Sequence, residues 1–321
     1  MKYSVIIPVY KNEGSIACLV DALKVMNQAL SNDLEAVFVV DGSPDMSFEL
    51  LKNSIRGLDF SVQLLAHSRN FGSFAAVRTG LIAARGEYFG VMAADLQEPP
   101  ELLVAFFNSL AADECDVAVG TRQGRMDPML SRLASRIFWG VYRRLVVPDM
   151  PEGGVDVFGC NRQFRDQLVQ LEESRSSLIA LIFWLGFRRK LVGYERQARQ
   201  EGKSAWTLSK KVEYMMDSIF AFTDYPIRLL IKIGTVGSIL AIAMAFLVLV
   251  AKLSGAIAVP GYAATLLVVL VFGAMNLLGI GLVGTYAWRA YENGKGRPLA
   301  VVAVHEIYGI EYKPESGDRD A

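Results

Sequence analysis

Val91-Met-Ala-Ala-Asp-Leu-Gln-Glu-Pro-Pro-Glu101 closes an apolar run that begins at Tyr88 and stops abruptly at an acid and an amide. A short apolar run bounded by turn residues reads as a buried strand. Its polar end places hard oxygen donors at the edge of a sheet, and Pro99 and Pro100 fix the turn and the start of a helix. Outward from this stretch, strand-length apolar runs recur at residues 4–9, 35–40, 62–66 and 117–120, with helical patterns at 14–30 and 71–84. Strands that are apolar on both faces and alternate with helices predict an α/β fold, a mostly parallel sheet covered on both sides. Ligands of such sheets bind beyond the carboxyl ends of the strands.

Two further strand ends carry polar residues. In Pro8-Val-Tyr-Lys-Asn-Glu13 a helix N-terminus offers backbone N–H groups, and Tyr10 and Glu13 suit stacking on a base and hydrogen bonding to a ribose. Val39-Val-Asp-Gly-Ser-Pro-Asp45 has the same placement, although an Asp-Gly turn with Asp45 or Ser47 as a helix cap accounts for it equally. Asp95 and Gln97 suit Mg²⁺ or Mn²⁺ bridging to a diphosphate, because these ions keep few protein ligands and take phosphate oxygens for the rest.

The 321 residues exceed what one core usually holds. Lysine plus arginine equals aspartate plus glutamate, 33 each, so the overall charge gives no sign of a nucleic-acid partner. Cys18, Cys115 and Cys160 lack metal-ligand or disulfide spacing, which suits a reducing compartment or simple core positions, and core positions are the expectation. His67 and His305 are expected to be structural. The N-terminus enters a strand with no basic n-region or cleavage site ahead of it, so the head is expected in the cytosol.

After Arg196 the character changes. A basic, aromatic-containing stretch to Lys211 leads into residues 212–219 and 220–228, which read as one or two amphipathic segments of the kind that lie in the headgroup plane. Residues 233–251 and 253–288 carry no charge and are separated near Val259-Pro-Gly-Tyr262, which predicts two transmembrane helices. A buried hairpin in a soluble protein is the alternative, but core helices of this length rarely lack every polar face. Arg228, Lys232, Arg289, Lys295 and Arg297 flank the outer ends, so both termini are expected in the cytosol. The expected division is a head over 1–205, amphipathic juxtamembrane helices over 206–232 and a two-helix transmembrane hairpin over 233–288 with its loop near 253–262. A cytosolic segment over 289–321 ends in a disordered tail from Lys313.

Taken in order, Pro8–Glu13, Val39–Ser43, His67-Ser-Arg-Asn-Phe-Gly72, Ala94–Pro100, Arg196-x-x-Arg-x-x-Gly-Lys-Ser204 and Lys295-Gly-Arg-Pro298 resemble the polyprenyl-phosphate glycosyltransferases of the family 2 GT-A type. That group includes the bactoprenol glucosyltransferases of O-antigen modification and, more distantly, dolichol-phosphate mannose synthase. The resemblance implies a Rossmann-like GT-A head in which Pro8, Tyr10, Glu13 and Asp41 hold the nucleoside and Asp95 binds Mg²⁺ or Mn²⁺. It places Gln97 and Asp156 at the reaction centre, Arg69 and Arg122 toward the donor sugar and its phosphates, and Arg196, Arg199, Lys203 and Ser204 on the acceptor phosphate. The implied reaction is inverting transfer of a hexose from a UDP-sugar, UDP-glucose or a relative, to undecaprenyl phosphate at the cytosolic face of a bacterial inner membrane. A homo-oligomer, up to a tetramer, is the expected assembly.

The sequence departs from the family pattern twice: Ala93 stands where the first acid of an Asp-x-Asp is usual, and Val40 replaces the first acid of Asp-Asp-Gly-Ser. Fewer carboxylates mean weaker metal binding, another sugar or lost activity. Retained activity is the expectation, since Asp95, a diphosphate and water complete an octahedral shell. Two alternatives stand beside it: a silent nucleotide-sugar-binding membrane scaffold, and a processive polysaccharide synthase, which needs more transmembrane helices.

Overall fold

The computed structural model describes residues 1–122, 139–151, 154–173, 176–197, 208–254 and 261–309. They form two units, a head of residues 1–172, 177–208 and 298 onward, and a helical unit of residues 173–176 and 209–297.

The head is built on an eight-stranded sheet in the order β7-β5-β6-β4-β1-β2-β3-β8. Its strands are β1 (Tyr3–Val9), β2 (Leu34–Val40), β3 (Ser61–His67), β4 (Tyr88–Val91), β5 (Val117–Arg122), β6 (Val155–Asn161), β7 (Arg189–Tyr194) and β8 (Val302–Tyr308). β1 to β4, β5 and β7 run one way, while β6 and β8 run against their neighbours. The expected mostly parallel α/β sheet is therefore present. β2 is buried at every position, as its unbroken apolar run from Ala36 to Val40 requires of a strand covered on both faces.

Helices α1 (Ile16–Ala29), α2 (Ser47–Ser54), α3 (Ser73–Ala83) and α4 (Pro100–Ala111) connect the parallel strands. α3 lies directly on β1: a Cβ added to Gly80 would come within 2.4 Å of Ile6 Cγ2, so only glycine lets the helix approach this closely. α4 begins with Pro100 in its first turn, where the missing N–H costs nothing. Pro8 sits inside a central strand without loss for a related reason. Met92 N–H donates to Ile6 O, so Pro8, two residues on, faces the side where β4 has already ended. Short helices α5 (Arg162–Leu168) and α6 (Leu178–Trp184) follow β6.

Of the cysteines, Cys115 and Cys160 are buried as expected, but Cys18 is exposed, because it falls on the outward face of α1. Burial among apolar groups pushes the Cys160 thiol well above its ordinary pKa, so it is inert.

β8 was not apparent from the sequence. It pairs antiparallel with β3, from Val62 opposite Tyr308 to His67 opposite Val302, and covers what would otherwise be an open edge. A buried polar ladder crosses four strands toward it. Glu35, fully buried, accepts from Ser4 Oγ at 2.6 Å, Gln63 Nε2 at 2.8 Å and Arg85 N at 2.8 Å. His305 Nε2 lies 2.7 Å from Gln63 Oε1, and Lys52 Nζ is 2.6 Å from Glu306 Oε1.

The helical unit holds α7 (Leu208–Phe222), α8 (Tyr225–Leu253) and α9 (Tyr262–Gly294). Of the one or two amphipathic segments expected here, the first is a single continuous helix, α7, that runs to Phe222, while residues 225–232 are already part of α8. Two helices are long and apolar enough to cross a membrane, with spans Tyr225–Met244 and Val271–Gly294, neither of them buried inside the protein. Within this unit Arg289 of α9 pairs with Asp217 of α7 at 2.5 Å, and the Phe220 and Tyr286 rings meet edge to face.

Candidate active site

The strand register carries the candidate residues to one edge. Val9 is opposite Val40, Val40 opposite Ala66 and Ile6 opposite Val91, so the loops after β1, β2, β3 and β4 all leave from the carboxyl edge of the sheet. β1 lies between β2 and β4, where the strand order reverses, and an open α/β sheet has its ligand crevice at such a point. Arg122 ends β5 at the same edge and pairs in register with Tyr194, the last residue of β7. Asp156 enters through an antiparallel strand, one residue after Val155, which faces Thr121.

Asp41 and Glu13 stand at this edge, and backbone N–H groups of the chain engage both carboxylates, that of Asp41 buried and that of Glu13 exposed. Asp41, 2 % exposed, accepts from His67 Nδ1 at 2.8 Å, Phe71 N at 2.8 Å and Gly72 N at 2.7 Å. Burial by itself would raise the pKa of this group. The hydrogen bonds from His67, Phe71 and Gly72 outweigh it and hold the carboxyl below its ordinary value. His67 Nδ1 faces this carboxylate, and Nε2 lies 2.9 Å from Thr79 Oγ1. The sequence reading of His67 as structural agrees with this arrangement.

Gly42 lets the pinned loop close down. Its φ is +56°, and a Cβ there would fall 2.3 Å from the Arg69 carbonyl carbon and 2.4 Å from Asn70 N. Arg69 itself is exposed at the rim, with its guanidinium 4.0 Å from the centre of the Phe71 ring.

Glu13 and Asp45 clasp the first two loops together. Glu13 N donates to Asp45 Oδ2 at 3.2 Å while Met46 N donates to Glu13 Oε2 at 3.0 Å. Lys11 N donates to Ser43 Oγ at 2.8 Å and Asn12 N to Ser47 Oγ at 3.2 Å. Burial acts to raise the pKa of Asp45, but its bonds from Ser43, Ser47 and Glu13 N hold it low. The clasp leaves Tyr10 39 % exposed on the rim, with Lys11 Nζ 5.5 Å from its ring centre.

The loop after β4 is the third part. Ser15 Oγ donates to Ala94 O at 2.8 Å, which ties this loop to the start of α1. Gln97 is 9 % exposed and Glu98 1 % exposed. Arg196, 99 residues further on, donates from Nη2 to Gln97 Oε1 at 2.5 Å, with its Nε 3.8 Å from Glu98 Oε1. Gln197 N donates to Gln97 O at 2.9 Å. The fold therefore joins two of the expected site residues, Gln97 and Arg196. It adds Glu98, which the sequence reading passed over although it belongs to the same Asp-Leu-Gln-Glu motif. Arg199, Lys203 and Ser204 lie outside the described residues.

The donor set can be tested against a divalent cation. Ala93 offers no side-chain oxygen, and among the described residues no group of three His, Cys, Asp or Glu side chains could hold a metal. The Asp95 carboxylate and Gln97 amide remain. This is too little for a self-sufficient site, but it fits Mg²⁺ or Mn²⁺ arriving with diphosphate oxygens.

A mostly parallel α/β sheet with its polar loops gathered at the carboxyl edge has the architecture of the GT-A fold. The chain belongs to the family described as Glycosyl transferase family 2, whose profile matches residues 4–171, and it is a glycosyltransferase. It is 32 % identical to the putative glycosyltransferase CsbB of Bacillus subtilis strain 168, over 92 % of this chain and 89 % of that protein. It is 30 % identical to an undecaprenyl-phosphate 4-deoxy-4-formamido-L-arabinose transferase of Edwardsiella ictaluri, over 92 % of this chain and 91 % of that one. A prophage bactoprenol glucosyl transferase homolog of Escherichia coli K12 is 28 % identical over 94 % of this chain and 98 % of its own length. The likeness to polyprenyl-phosphate glycosyltransferases seen in the motifs thus extends along nearly the whole chain.

Proposed function

We propose that this protein transfers a hexose, from UDP-glucose or a related UDP-sugar, to undecaprenyl phosphate at the cytosolic face of a bacterial inner membrane, with inversion at the anomeric carbon. The observation that carries the reading is the junction of Gln97 with Arg196 at the carboxyl edge of the sheet, which sets a phosphate-binding cation beside the loop suited to a donor diphosphate. Two of the relatives described above are named for transfer involving undecaprenyl phosphate or bactoprenol, which supports the acceptor class.

The lipid phosphate carries close to two negative charges at neutral pH and is already a nucleophile. The protein has little need of a strong base. Its residues have to align two anions and screen their repulsion. In this reading Pro8 and Tyr10 border the nucleoside, while Glu13 and Asp41 shape its pocket by bracing the loops. Arg69 and Arg122 approach the donor sugar and phosphates, and Asp156, on the strand next to that of Arg122, belongs to the reaction centre. Arg196, with Arg199, Lys203 and Ser204, receives the acceptor phosphate. Asp95 and Gln97 would hold Mg²⁺ or Mn²⁺, which supplies Lewis-acid stabilisation to the leaving diphosphate.

The membrane assignment draws on α8 and α9, whose apolar side chains, such as Leu240, Phe246, Leu277 and Leu278, are each more than 60 % exposed within the protein. Because β8 follows α9 and pairs with β3, a chain that crosses the membrane along α8 returns along α9 to the side it left. Trp288, Tyr291 and Lys295 gather near the end of α9, as residues at a headgroup level do. The division into head, juxtamembrane helix and hairpin, and assembly as a homo-oligomer, belong to the same proposal.

The purified full-length protein, incubated with undecaprenyl phosphate, Mg²⁺ or Mn²⁺ and a panel of labelled nucleotide sugars, is expected to form a glycosyl phospholipid from one of them. Asp95→Asn should remove that turnover. Absence of product with every donor would leave a nucleotide-sugar-binding scaffold as the function.

A further inference from the structure

We propose that Arg196 is the built-in cation of the Asp95–Gln97–Glu98 loop in the donor-free protein, and that it excludes a divalent ion until a nucleoside diphosphate arrives. The inference rests on the metal-dependent reading above and extends it to the order of binding. Glu98 is sealed at 1 % exposure, and a carboxylate in such a place is costly without a compensating charge. The Arg196 guanidinium, 3.8 Å away at Nε, supplies that charge. Its Nη2 occupies Gln97 Oε1 at 2.5 Å, so it engages one of the two side chains suited to the ion. The Gln197 N–H to Gln97 O bond at 2.9 Å holds the segment in place.

A divalent ion entering alone would have to displace this bond, or sit beside a like charge, for the sake of two protein ligands. Ala93 provides no third ligating side chain as compensation. A diphosphate changes the balance on both sides: its oxygens complete the shell of the ion, and its charge gives the guanidinium another partner. Arg196 then leaves Gln97 and is available to phosphate only after the donor has bound. Glu98 is accordingly a positioning residue, acting through Arg196.

Mn²⁺ binding to the full-length protein in detergent, followed by loss of the free-ion EPR signal, tests this without reference to turnover. The parent should hold Mn²⁺ tightly only when UDP is present. Arg196→Gln should bind Mn²⁺ without UDP roughly tenfold or more tighter than the parent does, the size expected for removing one nearby like charge. Arg196→Lys, which keeps the charge, should behave as the parent, and Arg196→Met serves if the glutamine variant does not fold. Equal nucleotide-free affinities in parent and Arg196→Gln, or a lysine variant that matches the glutamine one, would overturn the inference while UDP-dependent binding in the parent kept the metal reading intact. A parent that binds no Mn²⁺ even with UDP would overturn both.

Discussion

Asp41 Oδ1 lies 2.8 Å from His67 Nδ1, and the two side chains, 3 % and 0 % exposed, lock the ends of neighbouring parallel strands together. A residue expected to bind the nucleoside is thereby also the anchor of the loop from Ser68 to Gly72. In Asp41→Asn an amide NH₂ replaces one acceptor oxygen and meets an N–H donor, from Gly72 or Phe71. The variant is expected to lose about 2–3 kcal/mol of stability, the cost of a buried group left unpaired. It should also bind UDP more weakly because the loop shifts; urea denaturation and calorimetric titration measure the two effects.

The same carboxylate sets an acid limit. Its folded pKa is below the ordinary 3.8, so its contribution is complete above that value and is lost as pH falls through the lowered one. The stability difference between the parent and Asp41→Asn should be constant near neutrality and shrink below about pH 4. Denaturation midpoints at a series of pH values measure it, and a gap that widens on acidification would contradict the assignment.

Gly42→Ala combines a left-handed backbone with a Cβ 2.3 Å from the Arg69 carbonyl carbon. Backbone cannot yield as a flexible side chain can. The expected loss is about 2 kcal/mol or more, seen as a lower melting temperature together with faster amide exchange across residues 68–72.

Glu13→Ala removes the acceptor for Met46 N while leaving the Glu13 N to Asp45 bond in place. A loss of about 1 kcal/mol is expected, comparable to that of a helix cap. Amide exchange should quicken at residues 43–47 and donor KM should rise. A donor KM that rises with exchange unchanged would instead mean that Glu13 acts on the nucleoside directly.

His305→Ala with Glu306→Ala removes the contacts of β8 with Gln63 and Lys52. Amide protection along β3 should fall, as measured by hydrogen exchange. Burial, with Arg85 nearby, holds the His305 pKa below 6.5. The hold of β8 on the sheet is therefore complete above that pH and weakens as pH drops below it, so the thermal stability of the parent should fall more than that of the double variant between pH 7 and pH 5.

Much of the head was legible because its signals are local. Five apolar runs gave β1 to β5, and the polar residues that end β1, β2 and β4 marked the edge where the site lies. β6, β7 and β8 escaped notice for different reasons. Arg189–Tyr194 and Val302–Tyr308 are edge strands with largely exposed side chains, and β6 mixes Asp156, Gly159 and Asn161 into its run. The site was harder to read than the fold. An aspartate at a strand end looks the same in sequence whether it meets a nucleoside or, like Asp41, three donors of its own chain.

By itself the sequence determined the alternation of strands and helices, the two long apolar helices and the chemical character of the carboxyl-edge loops, since each depends on residues a few positions apart. The tertiary structure alone decided which strand lies beside which, that β8 returns to β3, that Glu13 and Asp45 clasp, and that Arg196 meets Gln97 across 99 residues. These are pairings between distant segments. They are selected by the burial and hydrogen-bond satisfaction of the whole sheet, which no single stretch of chain encodes.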